Sequence, residues 1–282
     1  MTTHPVTGID HVFLLTPDLD GAAAAWTKLG FTVTPRGFHS EHMGSANHTI
    51  MLQEDYIELL GILRETEYNA GHRARLAGGE GLHAIACRID DARSAVDALR
   101  ELGIPAGPAM DFERPVALPG GRSGSAAFSV APFGDGVSPR GHVFMCQHRS
   151  RENVWVREWM EHANGATALA AVVAIADDPA TLADGFARLF ASGRLTPIEG
   201  GVRVETGSAP ILVLTQAGTQ ERYPGFDFPA TPANGFAALE LVADLDKART
   251  ALGAMASPIP SGIAVAPRDA TGTILAFVAS RS

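Results

Sequence analysis

Apolar positions in this chain fall into short runs broken by glycine, proline and aspartate, a spacing that predicts many short strands with a few capped helices between them. Residues 8–15, Gly-Ile-Asp-His-Val-Phe-Leu-Leu, read as an apolar strand. Asp18 and Asp20 then cap an alanine-rich helix that runs to about Leu29 and closes at Gly30. Residues 81–89 repeat the strand, Asp90-Asp91 repeat the cap, and residues 92–102 repeat the helix, closed by Gly103. His11 and His83 are 72 positions apart, each seven before a capping aspartate, Asp18 or Asp90, which predicts equivalent places in equivalent units.

Each helix is followed by β-like runs, at 31–35, 48–52 and 56–60 in the first unit and at 126–130 and 142–147 in the second. Each unit therefore reads βαβββ. A third unit has a strand at 169–176, the cap Asp177-Asp178, a helix at 181–190 and strands near 201–205 and 211–215. A fourth has strands at 236–242, 263–266 and 273–278 around the cap Asp244 and a helix at 247–252. Residues 149–166 break this rhythm, and 223–234, rich in Pro and Gly, link units three and four. The expected organisation is α+β: four βαβββ modules arranged as two paired-module half-barrels, with residues 1–148 as one domain, 149–166 as a connector and 167–282 as the second domain. A length of 282 residues agrees with two domains.

A net charge of −9 has the wrong sign for a protein that must neutralise phosphates, so no nucleic acid is expected as partner. The apolar stretch 166–176 is about half the ~20 residues a membrane-spanning helix needs, so no membrane partner is expected. The first residues show no signal-peptide pattern, which gives a cytoplasmic expectation. Cys87 and Cys146, without CxxC spacing, exclude a disulfide scaffold. A homodimer is compatible with all of this.

With a first-strand histidine in G-I-D-H-V (8–12), a later-strand glutamate in Y-I-E-L (56–59) and a fourfold βαβββ repeat, the chain resembles the vicinal oxygen chelate superfamily of glyoxalases, extradiol dioxygenases, fosfomycin-resistance and bleomycin-binding proteins. The runs G-S-A-N-H (44–48), Y-I-E-L-L and F-M-C-Q-H (144–148) are similar to its glyoxalase-like domain group. The resemblance implies that each pair of units curls around a cavity, with a divalent metal held by the first and last strands of both units. Carried over, His11, His83 and Glu58 are ligands, and the fourth position falls on Met145, a poor ligand for a hard ion, so Gln147 or His148 would substitute, one only because they face opposite ways. The residue pattern agrees in part: Tyr56 and Glu58 share one strand face, Ile57 and Leu59 the other. Units three and four carry alanine at the histidine positions and no carboxylate on their last strands, which predicts a metal-free second pair.

Other candidates have a plain structural reading beside the functional one. Asn47, His48 and Tyr56 are placed to contact substrate, or to pack and cap turns; His39 and His42 lie in a glycine-rich connection near the expected rim. Cys146 and His148 share a strand face, which allows a thiol–imidazole pair. Residues 120–125 read as a loop over the cavity, and Trp155 and Trp159 as packing between the two pairs. The expected function is a metal-dependent enzyme of the glyoxalase-like type, lyase or isomerase in preference to dioxygenase, chelating vicinal oxygens of a small substrate such as a hydroxy-ketone, an α-keto thiol adduct or a catechol. Iron, manganese, zinc and nickel are not distinguished, and Glu58 is the expected proton shuttle. The rival expectation is a metal-free protein that sequesters a small molecule, as bleomycin-binding relatives do.

Overall fold

The structure is a computed structural model and describes residues 2–227 and 236–281. Its first half contains β1 (Gly8–Thr16), α1 (Leu19–Lys28), β2 (Gly37–Phe38), β3 (Ser45–Met51), β4 (Tyr56–Ile62), α2 (Ala70–Leu76), β5 (Gly81–Arg88), α3 (Ala92–Glu101), β6 (Met110–Leu118), β7 (Arg122–Pro132) and β8 (His142–His148). Its second half contains β9 (Ala166–Ile175), α4 (Pro179–Ala187), β10 (Leu195–Ile198), β11 (Gly201–Val204), β12 (Ile211–Leu214), α5 (Gln216–Arg222), β13 (Phe236–Ala243), α6 (Leu245–Leu252), β14 (Ser257–Ile259), β15 (Gly262–Val265) and β16 (Ile274–Val278). The sheet orders β2-β3-β4-β1-β5-β8-β7-β6 and β10-β11-β12-β9-β13-β16-β15-β14 are the same topology twice, four βαβββ units in two paired half-barrels. In the first sheet β2 and β6 approach each other, nearly closing the barrel.

The helices form where the sequence supplies caps. Asp18 accepts the Gly21 N–H at the start of α1, and Gly30 ends the turn beyond it at a φ of 86°, in the left-handed region. Helix α3 is capped by Asp91, through the Ser94 N–H, and not by Asp90. Helices α1, α3, α4 and α6 cover the outer faces of the sheets, and the two outer faces share one core. Trp26 is buried there and donates its indole N–H to Thr271 Oγ1, and Phe31 stacks on Phe277.

The strands β1 and β5 run antiparallel at the centre and break register twice, leaving Asp10 and His83 as the extra residues. Gly8 and Gly81, Asp18 and Asp91, and Gly30 and Gly103 thus correspond at a spacing of 73 residues. At that spacing the counterpart of His83 is Asp10 and that of His11 is Ala84, which corrects the expectation that the two histidines are equivalent. Several strand expectations also change. Residues 31–35 form no strand, Arg122–Ser125 belong to β7 and not to a loop, and β6, β10 and β14 were not anticipated. Trp155 and Trp159 pack with Tyr56 and Phe128 on the inner face of the first sheet, not between the halves. Most of the linker expected at 223–234 lies outside the described residues, among which no helix is long and apolar enough to cross a membrane.

The concave face of the second sheet is filled from within. Tyr223 and Phe226, at the end of α5, pack against Ala171, Leu212 and Ala276. The Tyr223 hydroxyl donates to Glu240 Oε1 at 2.5 Å, and Arg222 donates to both Glu240 oxygens at 2.6 and 2.8 Å. Ala171 and Leu212 hold the register positions that His11 and Glu58 hold in the first sheet.

Asp55, fully buried before β4, ties the halves together: its Oδ1 accepts the Leu169 N–H at 2.9 Å, and Arg281 lies 3.6 Å from Oδ2. Burial pushes its carboxyl up to about 6, against the pull of the Leu169 N–H and Arg281. An acid whose folded pKa exceeds its unfolded value of about 3.9 binds its proton more tightly in the folded chain, so its contribution to stability falls as pH rises from about 4 to about 6. Asp55→Asn keeps the acceptor for Leu169. It is expected to raise stability at pH 8 by about 1–2 kcal/mol and to change it little near pH 4, measured by urea unfolding at both values.

Candidate active site

The inner face of the first sheet lines a cavity of about 520 Å³, within the range of small-molecule sites. Alternation along β1 sends His11 and Phe13 inward and Val12 and Leu14 into the outer core. On β4 it sends Tyr56, Glu58 and Leu60 inward, and on β3 Ser45, Asn47 and Thr49. Asp10, the bulged residue, turns its carboxylate beneath His11.

Glu58 is the carboxylate of the cavity. Its Oε1 accepts from Asn47 Nδ2 at 2.7 Å and lies 3.9 Å from His39 Nε2, while Oε2 faces His11 Nε2 at 3.8 Å. The His11 ring stacks on Tyr56 at 4.3 Å, and its Nδ1 donates to Asp10 Oδ1 at 2.7 Å, which leaves Nε2 turned towards Glu58. The same Asp10 oxygen accepts from His148 Nε2 at 2.9 Å. Burial would raise the Asp10 carboxyl, but His148 and His11 outweigh it and hold the group well below the usual carboxylate range.

His83 lines the far side of the cavity, with its Nε2 3.0 Å from His72 Nδ1 and its ring stacked on His142. Burial depresses His83 to about 2 and His142 to about 4, and it also lowers His72 and His39, so these four rings are neutral at neutral pH. Burial, with the Asp10 and Glu58 carboxylates, pushes the Cys146 thiol well up, so Cys146 is an un-ionised lining group and no thiolate nucleophile. Arg114 of β6 reaches the same cavity, nine-tenths buried.

The expected ligand set is brought together only in part: His11 faces Glu58, while His83 lines the same cavity against His72. Glu58 pairs in register with Phe13 on β1, and the corresponding position on β8 is Phe144, paired with Ala86 on β5. Met145, where a fourth ligand was sought, points into the outer core. Gln147 accepts the Ala92 N–H at the start of α3, His48 turns to the Thr34 carbonyl, and His148 serves Asp10. With Ala84 and Phe144 at two of the four positions and His83 engaged with His72, a four-sided cation site built from the paired units does not fit these residues. A different group could hold a metal ion: Asp10, His11, Cys146 and His148 place their donor atoms within 4.8 Å of one another. As they stand, the two imidazoles donate to one Asp10 oxygen at 2.7 and 2.9 Å, nearer than the ~3.3 Å between donors around a tetrahedral zinc ion.

His39, read from the sequence as a rim residue, does line the cavity, whereas Asp10, His72, His142 and Arg114 were not singled out from the sequence. Only Asp10 has a sequence signal, as the neighbour of His11 in G-I-D-H-V.

A profile of the glyoxalase-like domain family matches residues 9–190. No curated protein matches. A hypothetical protein from Staphylococcus aureus is similar in structure at 11% identity and a TM-score of 0.68, covering 95% of this chain and 98% of its own. A selenomethionine-labelled methylmalonyl-CoA epimerase aligns at 21% identity and a TM-score of 0.38, over 51% of this chain and 96% of its own. The Mycobacterium tuberculosis methylmalonyl-CoA epimerase aligns at 18% and 0.37, over 52% and 91%. With its repeated βαβββ topology and a profile match over most of its length, the chain belongs to the glyoxalase-like domain family of the vicinal oxygen chelate superfamily.

Proposed function

We propose that the cavity of the first sheet moves a carbon-bound proton on a small substrate with neighbouring oxygens, as an isomerase or lyase does. One observation carries this reading: Glu58 is fixed on one oxygen by Asn47, and its other oxygen faces a histidine that Asp10 holds in one tautomer. A carboxylate and an imidazole so arranged form an acid–base couple. Glu58 Oε2 takes the proton from the carbon beside a carbonyl, and the bonding pair stays on the substrate as an enolate. The proton then returns from Glu58, or by way of His11 Nε2, to the adjacent carbon, or the enolate expels a leaving group. Hydroxy-ketones and α-keto thiol adducts have the chemistry this requires. Oxygen-dependent ring cleavage is less favoured, since the second bowl is filled by Tyr223 and Phe226.

The test is deuterium incorporation from D2O, followed by NMR, across a panel of hydroxy-ketones, 2-keto acids and thiol adducts. The expected result is catalysed exchange on at least one of them, undiminished by a chelator. A panel that stays inert with the wild-type protein overturns the enzyme reading in favour of sequestration.

A second reading has an observation of its own, the donor group of Asp10, His11, Cys146 and His148, whose mixed N, O and S donors suit zinc or iron better than magnesium or calcium. A divalent iron, manganese, zinc or nickel ion there would supply a Lewis acid beside His11. That reading requires exchange to stop on chelation and bound metal to fall in His148→Ala while persisting in His83→Ala.

A further inference from the structure

The Arg114 guanidinium is the unusual charge of the cavity. It is 9% exposed, it lines the cavity, and among the described residues it makes no hydrogen bond and lies within 4.0 Å of no carboxylate. An arginine this buried is normally paired, because an uncompensated buried charge is costly. The backbone makes room for it. A Cβ on Gly37 would fall 2.6 Å from Arg114 Cζ and 2.6 Å from Asn47 Oδ1, so the glycine of β2 lets the guanidinium lie against the adjoining strand. Burial lowers the readiness of Arg114 to hold its charge, and Glu58 and Tyr56 act the other way, so Glu58 is near enough to be felt without being a partner. The surrounding walls are apolar and aromatic: Phe112, Phe128, Val130 and Met110.

We infer that Arg114 receives a carboxylate of the substrate, so that the substrate class is a small carboxylic acid with an apolar or aromatic body. This deepens the proton-transfer reading above and rests on the same cavity. A planar guanidinium takes a carboxylate through two parallel N–H···O bonds, a geometry a neutral amide does not reproduce. The body of such an acid would lie against Phe112 and Phe128, and the carboxylate would sit on the β6 side while Glu58 acts from β4.

The experiment compares binding of phenylacetate with that of its neutral isostere, phenylacetamide, by calorimetry, and locates both by the ¹³C-methyl NMR shifts of Met43 and Met110, which line the cavity. Wild-type protein is expected to bind phenylacetate with a dissociation constant of about 1 mM or below, at least ~10-fold tighter than phenylacetamide. Arg114→Gln should erase that difference by weakening the acid and leaving the amide unchanged. Arg114→Lys, which keeps a charge without the fork, should retain a reduced preference; it also carries the test if the glutamine variant fails to fold. Equal binding of the two probes by the wild-type protein, no shift at Met43 and Met110, a preference that survives in Arg114→Gln, or none in folded Arg114→Lys overturns the inference. Binding is read without turnover. A protein that prefers phenylacetate through Arg114 but exchanges no carbon-bound proton would therefore refute the proton-transfer reading alone.

Discussion

Glu58→Gln is expected to slow proton exchange by about 10²–10⁴-fold, the usual contribution of a positioned general base. The substitution is chosen for what it preserves. A glutamine oxygen still accepts from Asn47 Nδ2, the side chain keeps its volume against Tyr56 and Leu60, and β4 remains paired with β1 and β3. Stability should therefore move by less than about 1 kcal/mol, since the hydrogen-bonded contact and the packing persist. What disappears is the oxygen that could hold a proton opposite His11. Rates are read by deuterium incorporation under saturating and limiting substrate. A loss in the saturated rate at similar apparent affinity places Glu58 in the chemical step. A folded Glu58→Gln variant within about threefold of the wild-type rate would remove Glu58 from the chemistry, because even the weakest general bases contribute more than that.

Asp10→Asn should have the largest effect on stability, a loss of about 2–4 kcal/mol by urea unfolding. Asp10 is buried on its bulge and one of its oxygens accepts from both His11 and His148, while Arg88 Nε lies 3.9 Å from the other. An amide can accept through only one atom, and its NH₂ group must then face either an imidazole N–H or a guanidinium, donor against donor. The pH dependence has a definite sign. The folded carboxyl titrates well below its ordinary range, so its stabilisation is complete above the unfolded value of about 3.9 and is lost as pH falls below it. The deficit of the variant should accordingly narrow in acid below the unfolded carboxyl value. A variant as stable as the wild-type protein at pH 7 would show that the triad contributes nothing to folding. His11 would also lose its fixed tautomer, so exchange should fall with stability.

The repeated units were legible because each has an apolar strand followed by a capping aspartate, and the four caps Asp18, Asp91, Asp178 and Asp244 all form in the structure. Their alignment was not. Asp90-Asp91 offers two caps one residue apart, and a bulge in each central strand carries one residue that no alternation rule counts. The fourth position, counted along β8 from Gly141, is also one residue off: Met145 points outward and Phe144 inward. Arg114 was hidden because β6 is an edge strand with alternating polar and partly exposed residues and a proline at its centre, a pattern that reads as loop. His72 was hidden because α2 has no side-chain cap and buries no residue, so nothing in the sequence marks it as a helix. Glu58 and His11 were found because they lie on central strands with strict alternation.

The segment Arg222–Phe226 gives the second bowl a permanent tenant. Because that tenant is tethered through α5, a free molecule would compete with an intramolecular group whose effective concentration is on the order of millimolar, held besides by a two-point ion pair and a phenol. Internal duplication in this chain therefore did not double its capacity. One bowl is saturated by its own sequence and the other is open to solution, so a titration should saturate at a single equivalent per chain.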